Sequence, residues 1–151
     1  MSYQEKNITV SLVNFSLILG VYCIRVFQML QGGSFNSTNV FRLWGIVIAL
    51  AIAVTIFATI LTHIFSAIIQ AIKTGEKNPK VEDLEDERDR LIDLRGTKVT
   101  YFVSSIGGFL SMLTFVLGQP PLVMFALLIF FAVVAQIIGD ISRLYLYRRG
   151  F

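Results

Sequence analysis

The sequence predicts an all-α protein: a four-helix transmembrane bundle, N-in and C-in, with a short amphipathic cytoplasmic helix between spans 2 and 3. Three observations predict it. Hydrophobic residues fill 55% of 151 positions and mean hydropathy is +0.71, beyond the composition of ordinary globular domains. The apolar residues gather in four stretches, each reaching the roughly 18 positions a helix needs to cross a bilayer. Eight of the ten acidic residues fall in one block, residues 73–98, which leaves the stretches almost free of carboxylates. The chain reads as a single integral membrane domain, 1–151, with spans about 8–30, 40–72, 99–118 and 120–145 and one cytoplasmic loop, 73–98.

Span 1 follows the basic Lys6. Its apolar region outruns the roughly 7–15 residues of a secretory signal, and no small-x-small cleavage site follows, so it reads as a retained helix. Cys23 is the single cysteine and lies inside this span, which excludes an intrachain disulfide and a cysteine-based metal site. The connection QGGSFNST, residues 31–38, is short and turn-prone. Span 2 opens with Arg42 beside Trp44, a residue suited to the membrane interface. The turn at Gln119, Pro120 and Pro121 joins spans 3 and 4, again too short for anything but antiparallel neighbours.

Charge sets the expected orientation. Basic residues resist translocation and gather on the cytoplasmic side. With both termini inside, Lys6, the seven basic residues of the 73–98 block, Arg143, Arg148 and Arg149 are cytoplasmic, eleven of thirteen. Only Arg25 and Arg42 lie toward the other face, as candidate contacts for an outer-leaflet anion or lipid headgroup, or as side chains that snorkel there. The net charge of +3 therefore needs no nucleic-acid partner. The expected location is an integral membrane position with both termini in the cytoplasm.

Within the block, residues 81–98 read VEDLEDERDRLIDLRGTK, with Val81, Leu84, Leu91 and Ile92 at roughly helical spacing. Acidic residues crowd its start and basic ones its end, matching the helix dipole. This predicts a short amphipathic helix at the inner surface, ended by Gly96. Glu82, Asp83, Glu85, Asp86, Glu87 and Asp89 form its acidic patch. Such a patch is repelled by anionic lipid and suits a basic cytoplasmic partner; the plainer reading is a solvated loop.

Polar residues inside the spans are the other candidates. Thr55, Thr59, Thr62, His63, Ser66 and Gln70 recur at three- and four-residue steps along span 2. Such a stripe avoids lipid and faces either another helix or a polar cavity. Span 3 offers a small face at Ser104, Gly108 and Ser111, with Gly107 beside it, and span 4 offers Gln136, Asp140 and Arg143 on one face. Counted inward from the outer turns at about 1.5 Å per residue over about 30 Å, the inner boundary falls near Val10, His63, Lys98 and Asp140. Asp140 should pair with Arg143, or with Lys98, Arg95 or His63 at its depth. A proton or cation relay through His63 and Asp140 is the sharper alternative, but a transport site belongs nearer the midplane. One histidine, one cysteine and no second carboxylate within an apolar stretch predict no metal, no cofactor and no catalytic group.

The run DERDRLIDLRGTKVTYFV at 86–103, with LYLYRRGF at the end, resembles a family of small uncharacterised bacterial four-helix inner-membrane proteins. Their pattern is a DERD-x-x-I-x-x-x-G helix entering the third span and a basic Tyr-Arg-Arg tail. Asp86, Glu87, Arg88, Asp89, Ile92, Gly96, Tyr147, Arg148 and Arg149 occupy it here. The resemblance covers the second half of the chain and implies the fold without an activity. The expectation is a non-enzymatic regulatory or interaction scaffold, a homo-oligomer in the bilayer, using its acidic helix. The alternative is a small oligomeric transporter or channel lined by the span 2 stripe.

Overall fold

The computed structural model describes residues 3–74 and 87–149, with backbone alone for Tyr3 and for much of the chain from Ala58 to Thr74. Four helices follow one another: α1 (Tyr3–Gln31), α2 (Ser37–Thr74), α3 (Glu87–Val116) and α4 (Pro121–Arg149). Each contains a segment long and apolar enough to cross a membrane. Helix α2 exceeds α1 by nine residues, 38 against 29, about 13 Å at the α-helical rise.

The turns form as their sequences require. Helix α1 ends where Gly33 takes φ 63° and the Ser34 amide donates to Met29 O at 3.0 Å, a glycine-dependent C-terminal cap. Asn36 then caps α2, its Oδ1 accepting from the Asn39 amide at 2.9 Å. Helix α3 ends the same way. Gly118 takes φ 85°, and the Gly118 and Gln119 amides donate to Phe115 O and Thr114 O. Pro121 opens α4, where its missing N–H costs nothing. These turns define one end of the bundle. The opposite end carries both termini and the start of α3.

Helix α4 is the common axis, packing against α1, α2 and α3. The apolar core lies between α1, α2 and α4 and comprises Ile18, Tyr22, Leu43, Val47, Ile129 and Val133. Near the turns, Phe41, Trp44 and Phe125 stack edge to face, with ring centroids 5.3 to 6.0 Å apart. Tyr22 donates to Ala126 O at 2.6 Å and Trp44 Nε1 to Phe125 O at 3.1 Å. Two polar atoms that would otherwise face hydrocarbon thus find acceptors on successive carbonyls of α4.

Helix α3 packs by a different chemistry. A Cβ on Gly107 would collide with the Phe131 ring, one on Gly139 with Thr100, and one on Gly96 with the Arg143 side chain. Gly96, Thr100, Gly107 and Ser111 therefore lie along one seam against α4, where small residues let the backbones approach. Ser111 is fully buried and donates to Gly107 O at 2.7 Å. The small face of α3 is thus rotated from the one expected: Ser104 is exposed, and nothing lies within 4 Å of the Cβ position of Gly108.

One expected boundary moves. Glu87–Val116 is a single helix that passes through Gly96, so residues 87–98 are the first turns of α3 rather than a separate amphipathic helix; residues 75–86 lie outside the described residues. Gly96 does not end the helix because it is the platform for Arg143. The roughly 1 kcal/mol that a mid-helix glycine costs relative to alanine is offset by that contact.

Candidate functional site

The charged residues of α4 converge with α1 and α3 at the termini end. Asp140 is buried, with 4% of its side chain exposed, and both its oxygens are engaged. Oδ2 accepts from Ser11 Oγ of α1 at 2.7 Å. Oδ1 accepts from Arg143 Nη1 at 3.0 Å and Gln136 Nε2 at 3.2 Å. A carboxylate in an apolar surround persists only with such partners.

Arg143 carries the network to α3. Its Nε donates to Asp93 Oδ1 and its Nη2 to Thr97 Oγ1, both at 2.9 Å. The guanidinium lies over Gly96, where any side chain would displace it. One turn further, the Tyr147 hydroxyl donates to Asp89 Oδ1 at 2.8 Å and Arg88 Nη2 reaches Tyr147 O at 3.5 Å. Ser11, Asp140, Arg143, Asp93, Thr97, Tyr147 and Asp89 form a ladder that fastens α1 and the start of α3 to α4.

Beside this ladder lies a cavity of about 400 Å³, lined by residues of all four helices. Gln4, Asn7 and Ser11 line it from α1, Val54 and Thr55 from α2, Asp89 and Asp93 from α3, and Gln136, Asp140, Arg143 and Tyr147 from α4. Ile8, Phe15 and Ile92 complete an apolar portion of the wall with Val54.

Several sequence candidates meet here. Gln136 and Asp140 sit at the centre. Of the expected partners of Asp140, Arg143 is in place, while Ser11 and Gln136 supply the other donors; Lys98 and Arg95 are exposed. Thr55 lines the cavity and its hydroxyl donates to Ala51 O at 2.8 Å. The side chains of Thr59, Thr62, His63, Ser66 and Gln70 lie outside the described residues, as do Glu82, Asp83, Glu85 and Asp86. Of the acidic patch, Glu87 is exposed, whereas Asp89 is half-buried and tied to Tyr147. Arg25 and Arg42 are exposed on the halves of α1 and α2 nearer the turns. Sequence reasoning missed Ser11, Thr97 and the Asp89–Tyr147 bond, although the depth count that sets Val10 level with Asp140 also places Ser11 there.

The ladder is suited to holding helices. Asp140 receives three donors, and the Arg143 fork is divided among three acceptors on α3 and α4. Among the described residues, no group of three His, Cys, Asp or Glu side chains is placed to hold a metal. No family model, curated protein or solved structure matches the chain.

Proposed function

We propose that this is a non-enzymatic membrane protein of a bacterial cytoplasmic membrane, a regulatory or interaction scaffold whose acidic segment before α3 receives a basic cytoplasmic partner. Both termini face the cytoplasm in this reading, in keeping with eleven of thirteen basic residues on that side. One observation carries it: the ladder commits its charged groups to fastening the start of α3. Asp93 and Asp89 are held by Arg143 and Tyr147 of α4, so the acidic residues at 82–87 directly precede a helix turn anchored to the bundle. Anchoring lowers the entropy lost when a partner docks next to it.

The test is comparative co-purification from native membranes. Wild type is set against E82Q/D83N/E85Q/D86N/E87Q, which spares Asp89 because of its bond to Tyr147. A basic protein recovered with wild type and lost with the variant supports the scaffold; identical recoveries overturn it. A second reading is a small oligomeric transporter or channel lined by the span 2 stripe, supported by Thr55 of that stripe lining the cavity. Solute flux in proteoliposomes that H63N leaves unchanged would count against the His63 relay within that reading.

A further inference from the structure

We infer that the outward face of the first turns of α3 binds the headgroup of an anionic phospholipid through Arg95 and Lys98. Helix α3 sorts its charges by side. Asp89 and Asp93 turn toward α4, where Tyr147 and Arg143 hold them. Arg95 and Lys98, three residues apart and so neighbours on the helix surface, are exposed on the side away from α4. The exposed acid of the same stretch, Glu87, lies eleven residues before Lys98, about 16 Å along the helix. The bases stand at the membrane boundary. A Cβ on Gly139 would meet Thr100, and the Arg143 side chain lies over Gly96, so Lys98 is level with Asp140. Counts along two separate helices set both residues at the inner boundary, and the packing brings them to one height.

The neighbours of the two bases decide the occupant. Leu94 and Leu91, one and two turns nearer the termini, are 52% and 46% exposed. Tyr101 and Phe102, one turn the other way, are 70% and 68% exposed. These residues share the outward face with Lys98, at three- and four-residue steps. Bases interleaved with exposed leucines and aromatic rings fit a lipid. Its phosphate takes the bases, whose stems lie along apolar surface while their charged heads reach the headgroups. Its acyl chains cover Phe102, and Tyr101 has the amphipathic ring suited to the membrane–water interface. Leu91 and Leu94 then lie among the headgroups, as apolar residues do on a basic interfacial helix. In the orientation proposed above this is the cytoplasmic leaflet. The site is independent of any partner held by the acidic segment, because Glu82 to Asp86 do not enter the argument.

The probes are dioleoylphosphatidylglycerol and dioleoylphosphatidylcholine, which share their acyl chains and differ in headgroup charge. Binding is read by native mass spectrometry of the full chain, titrated with each lipid in a neutral detergent. Phosphatidylglycerol should bind at least about fivefold tighter, the equivalent of one base acting on an anionic headgroup. R95Q/K98Q should remove that preference and R95K/K98R should keep it. R148Q/R149Q, which neutralises an exposed basic pair at the end of α4, should leave it unchanged. Equal binding of the two lipids by wild type, a preference that survives R95Q/K98Q, or one that falls as far in R148Q/R149Q would overturn the assignment. A wild-type dimer that R95Q/K98Q dissociates, with no lipid preference, would give the face to a second copy and overturn it too. If R95Q/K98Q fails to elute as a single species, the wild-type comparison and K98Q alone still decide. Detergent has no sides, so the result stands apart from the orientation of the termini.

Discussion

The two ends of the bundle hold α4 by opposite means. At the turn end, aromatic rings from α1 and α2 close over α4 and donate hydrogen bonds to its carbonyls at Phe125 and Ala126. At the termini end, ionised and hydroxyl side chains from α1 and α3 meet at Asp140 and Arg143. The difference follows from what surrounds each. Lipid tails are as apolar as the side chains they replace, so hydrophobic burial gives little drive for helices to associate within a membrane. Close packing and hydrogen bonds must supply it instead. Near the turns, backbone carbonyls accept from Tyr22 and Trp44 with no charge buried. Near the termini, the Asp140 carboxylate is buried and must carry its own set of donors.

Removing Asp140 should have the largest effect on this contrast. D140A removes the buried partner of the Arg143 guanidinium, which keeps Asp93 and Thr97, so the cost should lie at the lower end of the about 3–5 kcal/mol for breaking a buried pair. Thermal unfolding in detergent should show that loss, while D140L/R143M, which removes both charges, should recover most of it. A D140A protein as stable as wild type would mean that the ladder holds nothing.

The seam between α3 and α4 comes next. G139V places a side chain on Thr100, and overpacking of this kind costs about 1–3 kcal/mol. G45A meets nothing within 4 Å and, lying inside α2, should leave stability the same or raise it by up to about 1 kcal/mol. Cysteine crosslinking between α3 and α4, tried in each background, distinguishes a displaced seam from a general loss of stability.

The smallest effect belongs to the turn end. Y22F and W44F each remove one hydrogen bond to a carbonyl that retains its helical partner, a loss of about 0.5–1.5 kcal/mol. If either cost as much as D140A in the same unfolding assay, the contrast between the ends would fail.

Much of this was readable before any contact was known. Hydropathy located all four helices, and the Gly33 and Gly118 turns fell where short connections were expected. Asp140 stood out as the single carboxylate within an apolar stretch, and Arg143, three residues on, was a partner the helix itself dictates. The continuity of α3 was not readable, because Gly96 and the charges around it have the look of a helix end. Only the arrival of Arg143 from another helix makes that glycine a packing position. Tyr22 looked like one more aromatic in an apolar run, since its acceptor lies 104 residues away.

The sequence by itself determined the four helices long enough to cross a membrane, their antiparallel order and the level at which charge enters the apolar stretches. Each of these depends on one helix measured against lipid and water, so a count along the chain suffices. The tertiary structure alone decided that α4 is the axis, that α3 touches it through glycines, and that Ser11 completes the shell of Asp140. Those outcomes depend on how each helix is rotated about its own axis. That rotation is set where one helix's small residues meet another's large ones, and the apolar pattern of either helix taken alone does not contain it.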